Sequence, residues 1–228
     1  MAYRRTAFAP HEWYHCYTRT IDKSRPFEDS THTNRFLESL YLANDAAPMP
    51  RIPALREKYS HEDMFALPRG QEIVAIGAYC VMPTHYHLLL QPLTDSGITD
   101  FMHKLGTSFT RSYNAQNNRV GNLFIKPFRS KHIDDDNYLR TVTQYIHLNP
   151  IELFESKWKQ GIVTSYEAAE RCLISYQSSS LLEFEGRQRP ESAILNREAV
   201  DFLNHTRIDL KDILKDMAEY YAFLELDL

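Results

Sequence analysis

The 228-residue chain is short of cysteine: Cys16, Cys80 and Cys172 lie far apart with no CxxC spacing. That excludes a disulfide framework and a cysteine zinc site, and makes a reducing cytosol, with its nucleoid, the expected setting. It also lacks a long apolar run. The longest mostly apolar stretch, residues 73–82, is roughly half a membrane span, and the basic residues 1–5 lead into no apolar signal core, so neither insertion nor export is expected. Glycine is scarce, with 7 residues against 11 prolines, while 43% hydrophobic and 25% charged residues describe a globular chain rather than a disordered one. A further lack is local: no Asp or Glu occurs from 101 to 133, where Lys104, Arg111, Arg119, Lys126, Arg129 and Lys131 form a basic segment. The net charge is nevertheless −4, because residues 151–228 hold fifteen acids against nine lysines and arginines.

The periodicities predict an α+β fold. Residues 13–21, aromatic and β-branched, read as a first strand, and residues 33–44 as a helix. Residues 46–70, with Pro48, Pro50, Pro53 and Pro68, read as an insertion or long connection carrying at most one short helix. Two β-prone runs, 72–82 and 85–92, flank the turn at Pro83-Thr84. A helix is expected over 98–116, then an extended stretch over 123–133. Asp134, Asp135 and Asp136 are N-cap candidates for a helix running to Asn149, where Pro150 ends it. Beyond lie helical patterns at 165–173, 197–205 and 210–226. The expected organisation is a catalytic domain over 1–150 and an acidic, mostly helical extension over 151–228.

Chemistry concentrates in two segments. In Pro83-Thr84-His85-Tyr86-His87-Leu88, strand alternation points His85 and His87 to one face, close enough to share a cation, while Tyr86 and Leu88 enter the other layer. In Gln144-Tyr145-Ile146-His147-Leu148-Asn149-Pro150, Tyr145 and Asn149 share one helix face, so a phenol and an amide oxygen can adjoin the same cation. The plainer alternative makes Tyr138 and Tyr145 packing aromatics and Asn149 a helix cap. His103, His132 and His147 are not expected to be ligands.

In the order MPTHYHLLLQP, GNLFIKPFRSKHI, NYLRTVTQYIHLNPI, the chain resembles the single-tyrosine HUH transposases, specifically the REP-associated tyrosine transposases, over roughly residues 13–166. The resemblance implies a ferredoxin-like antiparallel sheet with helices packed on one face. It further implies that His85, His87 and Asn149 hold Mg²⁺ or Mn²⁺, and that Tyr145 attacks a DNA phosphodiester. Thr84 stands where Asn is common in the motif, and Asn149 where more distant relatives carry Gln. The two imidazoles alone would suit zinc or manganese.

A phenol of pKa about 10 is a poor nucleophile at neutral pH, so a cation that polarises the phosphate is the expected activator. The ester formed would be a 5′-phosphotyrosine that a 3′-hydroxyl can attack to rejoin strands. Lys104, Arg111, Arg119, Lys126, Arg129 and Lys131 can track phosphates while Phe109, Tyr113, Phe124 and Phe128 offer faces to unpaired bases, a combination suited to single-stranded or hairpin DNA. Two alternatives stay open: a domesticated DNA-binding regulator with this fold and little or no catalysis, and a phosphodiesterase that uses water. Monomer and homodimer are equally compatible with the residues. An acidic helix with Asp209, Asp212, Asp216 and Glu219 is expected as a surface helix, with cover of the basic groove as the sharper possibility.

Overall fold

Four strands that bury apolar residues on both faces organise the molecule. A computed structural model describes residues 7–160 and 163–204. In chain order come β1 (Trp13–Arg19), α1 (Ser30–Ala43), α2 (Ile52–Arg56), α3 (His61–Met64), β2 (Val74–Met82), β3 (His85–Pro92), α4 (Gly97–Gln116), β4 (Arg129–Ile133), α5 (Asp136–Leu148), α6 (Tyr166–Ser175), α7 (Leu181–Phe184) and α8 (Arg197–Leu203). The sheet is antiparallel throughout, in the order β2-β3-β1-β4, which is the ferredoxin-like βαββαβ arrangement through β4. The helix expected at 210–226, with its acids, lies outside the described residues.

Alternation along the strands builds two cores. Tyr14, Cys16, Tyr86, Leu88 and Leu90 face α1 and α4, where Phe36, Leu40, Phe101, Leu105 and Phe109 meet them. On the opposite face Ala78, Cys80, Met82 and Leu89 pack under Leu139, Val142 and Ile146 of α5, with Trp158, Leu173 of α6 and Leu203 of α8. Helices on one face therefore describes α1 and α4 alone; α5 and the segment that follows cover the other face. The reason is β2, which is buried along its whole length and would otherwise leave an apolar face in water.

The segment after Pro150 is built into this core. Trp158 is fully buried, and its removal to Ala is expected to cost about 3–5 kcal/mol. Residues 176–180 run along the edge of β2: Val81 N–H donates to the Ser178 carbonyl (2.9 Å), Ser180 N–H to the Tyr79 carbonyl (3.0 Å), and the Tyr176 hydroxyl to the Val81 carbonyl (2.7 Å). Arg189 then binds Glu183 at 2.7 Å through Nε and the Ser179 carbonyl at 2.7 Å.

Gly77 permits a close approach of side chains to β2. Strand β2 shifts register between Ile76 and Ala78, and a Cβ on Gly77 between them would lie 2.9 Å from Leu203 Cδ1 and from Trp13 Cζ3. Caps follow the sequence: Asp29 accepts from Thr31 N–H (2.7 Å) to start α1, and Asp135 accepts from Tyr138 N–H (2.8 Å) to start α5. Two expectations need correction. The insertion holds two short helices rather than one at most, because Ser60 and Asp63 form a capping box that nucleates α3. The extended stretch over 123–133 is strand only from Arg129. Before it, Phe124 makes an isolated bridge with Thr20 and the Lys126–Pro127 peptide is cis.

Candidate active site

The two motif segments meet on the sheet face under α5. In β1 and β3, Tyr17 sits opposite His87 and Arg19 opposite His85, so Tyr17, His85 and His87 point to one face, joined by His15 two residues back. The rings of His85 and His87 lie 5.1 Å apart and nearly perpendicular. Helix α5 carries Tyr145 onto them: its ring centroid is 5.2 Å from His87, edge to face, and 5.5 Å from His15. Tyr145 is 4% exposed.

One turn on, Asn149 is fully buried at the start of a 3-10 turn, and its Nδ2 donates to the Tyr145 carbonyl at 2.9 Å. Its Oδ1 is buried with no hydrogen-bond partner among the described residues. An orphaned amide oxygen costs free energy unless something positive meets it. It lies one helical turn from Tyr145, whose ring meets His87, and His87 in turn meets His85, so the donor types of the three side chains, two imidazole nitrogens and one amide oxygen, suit a divalent cation that also takes water or phosphate oxygens. No group of three His, Cys, Asp or Glu side chains able to hold a metal occurs among the described residues, which makes the amide oxygen the third donor on offer.

Sequence reasoning missed His15. Its Nε2 lies 2.9 Å from His87 Nδ1, and its ring lies tilted beside that of Tyr17, centroids 4.9 Å apart. Burial, reinforced by the positive charge of Lys131 opposite it on β4, lowers the His15 pKa to about 3, so it is neutral at ordinary pH. Where neutral His15 accepts the Nδ1 proton of His87, Nε2 of His87 is the ring atom left to meet a cation, the way an outer-shell partner orients a metal-binding histidine. The signal was the strand alternation of His15 with Tyr17, which acquires meaning only with the β1–β3 register.

The other candidates disperse. His147 points away from Tyr145 onto Ser180 Oγ (2.9 Å) and the Phe184 ring, and burial lowers its pKa to about 3. His132 is exposed and bonds Glu12; His103 is exposed on α4. The six cations do not share one surface. Lys104 holds the carbonyls of Asp45 and Ala47, tying the insertion to α4, and Arg111 projects from the same helix into water. Arg119 binds Asn114 and the Asn122 carbonyl, and Lys126 is exposed in the loop after it. Only Arg129 and Lys131 lie on the sheet face of the site, in register with Tyr17 and His15. Phe109 and Phe124 are core residues, which removes them as platforms for bases; Tyr113 and Phe128 pack partly buried against the same core.

Residues 62–149, which hold both histidines, Tyr145 and Asn149, match the family model described as "Transposase IS200 like". The similarity spans well under half of the chain, in the part that carries both motif segments. Among solved structures, the chain is similar to a REP-associated tyrosine transposase bound to a REP hairpin, at 15% identity and a TM-score of 0.50, covering 92% of this chain and 99% of that one. The family match thus covers the motifs, and the shared fold extends over most of the chain. No curated protein matches the sequence. Among the described residues, no helix is long and apolar enough to cross a membrane.

Proposed function

We propose that the chain is a metal-dependent single-stranded DNA endonuclease and strand transferase that cleaves through a covalent 5′-phosphotyrosine on Tyr145, at REP-like hairpins. The observation that carries this reading is Tyr145 set edge-on over the His15–His87 pair, with the orphaned Asn149 oxygen one turn along the same helix. The hairpin in the similar solved structure supports hairpin DNA as the substrate class. His85, His87 and Asn149 would hold Mg²⁺ or Mn²⁺, which when bound polarises the scissile phosphate and offsets its developing charge.

The chain's own residues account for the remainder. The Tyr145 phenol oxygen bonds to phosphorus as the P–O3′ bond breaks, and the phenolic proton is balanced by the one gained by the departing 3′-hydroxyl. Arg129 and Lys131, projecting from the neighbouring strand onto the same face, place positive charge where phosphate negative charge accumulates. Burial of Tyr145 keeps bulk water from the ester, so a DNA 3′-hydroxyl can reverse the step and join strands.

The test mixes protein with labelled hairpin DNA carrying a single-stranded flank and Mn²⁺ or Mg²⁺, then resolves a denaturing gel. Wild type is expected to give a metal-dependent protein–DNA adduct that Tyr145→Phe lacks. Cleavage without an adduct would indicate water as the nucleophile, and binding without cleavage a regulator.

A further inference from the structure

Across the sheet from Tyr145, α1, α4 and the start of the insertion enclose a cavity of about 560 Å³. Its polar lining is one-sided: Arg35, Arg51, Lys104 and Arg111 with the hydroxyls of Ser108 and Ser112, and no carboxylate among the described residues that line it. Its apolar side is Met49, Ile52 and Pro53. The volume is that of a small-molecule site.

Arg35 shows that the charge is not there merely for solubility. It is 8% exposed, its Nη1 donates to Ser112 Oγ, and its Nε is buried with no hydrogen-bond partner among the described residues. A buried guanidinium ordinarily has a carboxylate beside it. The nearest acid in its helix, Glu38, is already engaged by His61 at 2.8 Å and Arg56 at 3.5 Å. Burial, then the charge of Arg56, accordingly lower the Arg35 pKa, with Glu38 opposing them. The site has donors and positive charge in excess and lacks an anion.

We propose that this cavity is a nucleotide subsite for the DNA strand, taking a backbone phosphate on Arg35, Arg51 and Arg111 and a base against Met49, Ile52 and Pro53. Phosphate oxygens match the guanidinium forks and serine hydroxyls, and a flat base matches the apolar wall. The proposal rests on the reading of the chain as a DNA-processing enzyme. It adds a second anchoring point, on the layer opposite the cleavage residues, so that DNA is held by contacts that take no part in chemistry.

The test is hairpin DNA binding by fluorescence anisotropy without metal, over a range of salt, comparing wild type with Arg51→Glu/Arg111→Glu. Both positions are exposed, so the variant is expected to keep the wild-type unfolding midpoint. Lys157→Glu/Arg171→Glu, exposed on the C-terminal segment, makes the same charge change elsewhere. The cavity variant is expected to bind at least about tenfold more weakly, with a salt slope shallower by about one to two, while the control changes less than about threefold. Equal losses in both variants, or none in the cavity variant, would overturn the proposal. Deoxyadenosine 5′-monophosphate, titrated calorimetrically, separates the two sources of phosphate: saturable binding lost in the cavity variant with DNA affinity unchanged would overturn the DNA assignment in favour of a free nucleotide. The Tyr145 adduct is scored separately, so failure of the chemistry and failure of the subsite are distinct results.

Discussion

His15 Nε2 lies 2.9 Å from His87 Nδ1, within a buried cluster that Tyr145 closes from above. The two rings sit on adjacent central strands, so their spacing is set by the ladder rather than by a mobile loop. His15→Phe keeps an aromatic ring beside Tyr17 and Tyr145 but deletes the nitrogen. Its expected effect is a roughly tenfold to hundredfold loss of Mn²⁺ affinity, read from free Mn²⁺ by electron paramagnetic resonance, with metal-free DNA affinity retained. Unchanged Mn²⁺ binding in a folded variant would reduce His15 to a packing residue.

Asn149 separates a ligand from a cap. Asn149→Asp preserves size and adds negative charge, so Mn²⁺ is expected to bind more tightly, whereas Asn149→Ala weakens it and loses the bond to the Tyr145 carbonyl, about 1 kcal/mol. Were Asn149 only a cap, both changes would shift the unfolding midpoint and neither would move the Mn²⁺ titration.

His61 bridges Glu38, buried on α1, and Glu191 in the C-terminal segment, at 2.8 and 3.1 Å. Burial alone would depress its pKa, but hydrogen bonds to Glu191 and Glu38 outweigh that and raise it to about 9. The folded value exceeds the unfolded one, so this stability is complete below about pH 6.5 and is lost as pH rises through about 9. With the partly exposed ring allowed for, about 2 kcal/mol is expected to disappear between pH 6 and pH 10. Urea unfolding of wild type and His61→Gln checks it: the two curves should converge at alkaline pH, and a constant gap would refute the linkage.

Gly77→Ala places a methyl 2.9 Å from Leu203 and Trp13, against a packed interior. The expected cost is about 1–3 kcal/mol, relieved in part by Leu203→Ala in the same chain. Urea midpoints of the single and double variants test this, and additive losses would show that the two residues do not compete for the space.

The sheet was legible because β2 and β3 are continuous apolar runs around one turn, and α5 because Asp135 and Pro150 mark its ends. His85, His87, Tyr145 and Asn149 stood out through their spacing and through the family resemblance. His15 did not, since its chemistry depends on which strand lies beside β1, and pairing register is a long-range property. The six cations are spread over several surfaces for a related reason. Neighbours in sequence from 101 to 133 pass through helix, loop and strand, so sequence adjacency does not become surface adjacency. The second insertion helix was announced by Ser60 and Asp63, a capping signal hidden among prolines and charges.

Residues 176–180 bonded along β2 leave β4 as the unoccupied margin of the sheet among the described residues. A second copy adding there by a twofold antiparallel ladder centred on Ser130 would set Arg129 of each copy against Lys131 of the other, a charge conflict that discourages strand-to-strand association. Self-association of this chain is therefore expected to use helical surfaces, and the cationic margin stays available to a polyanion instead of a sister sheet.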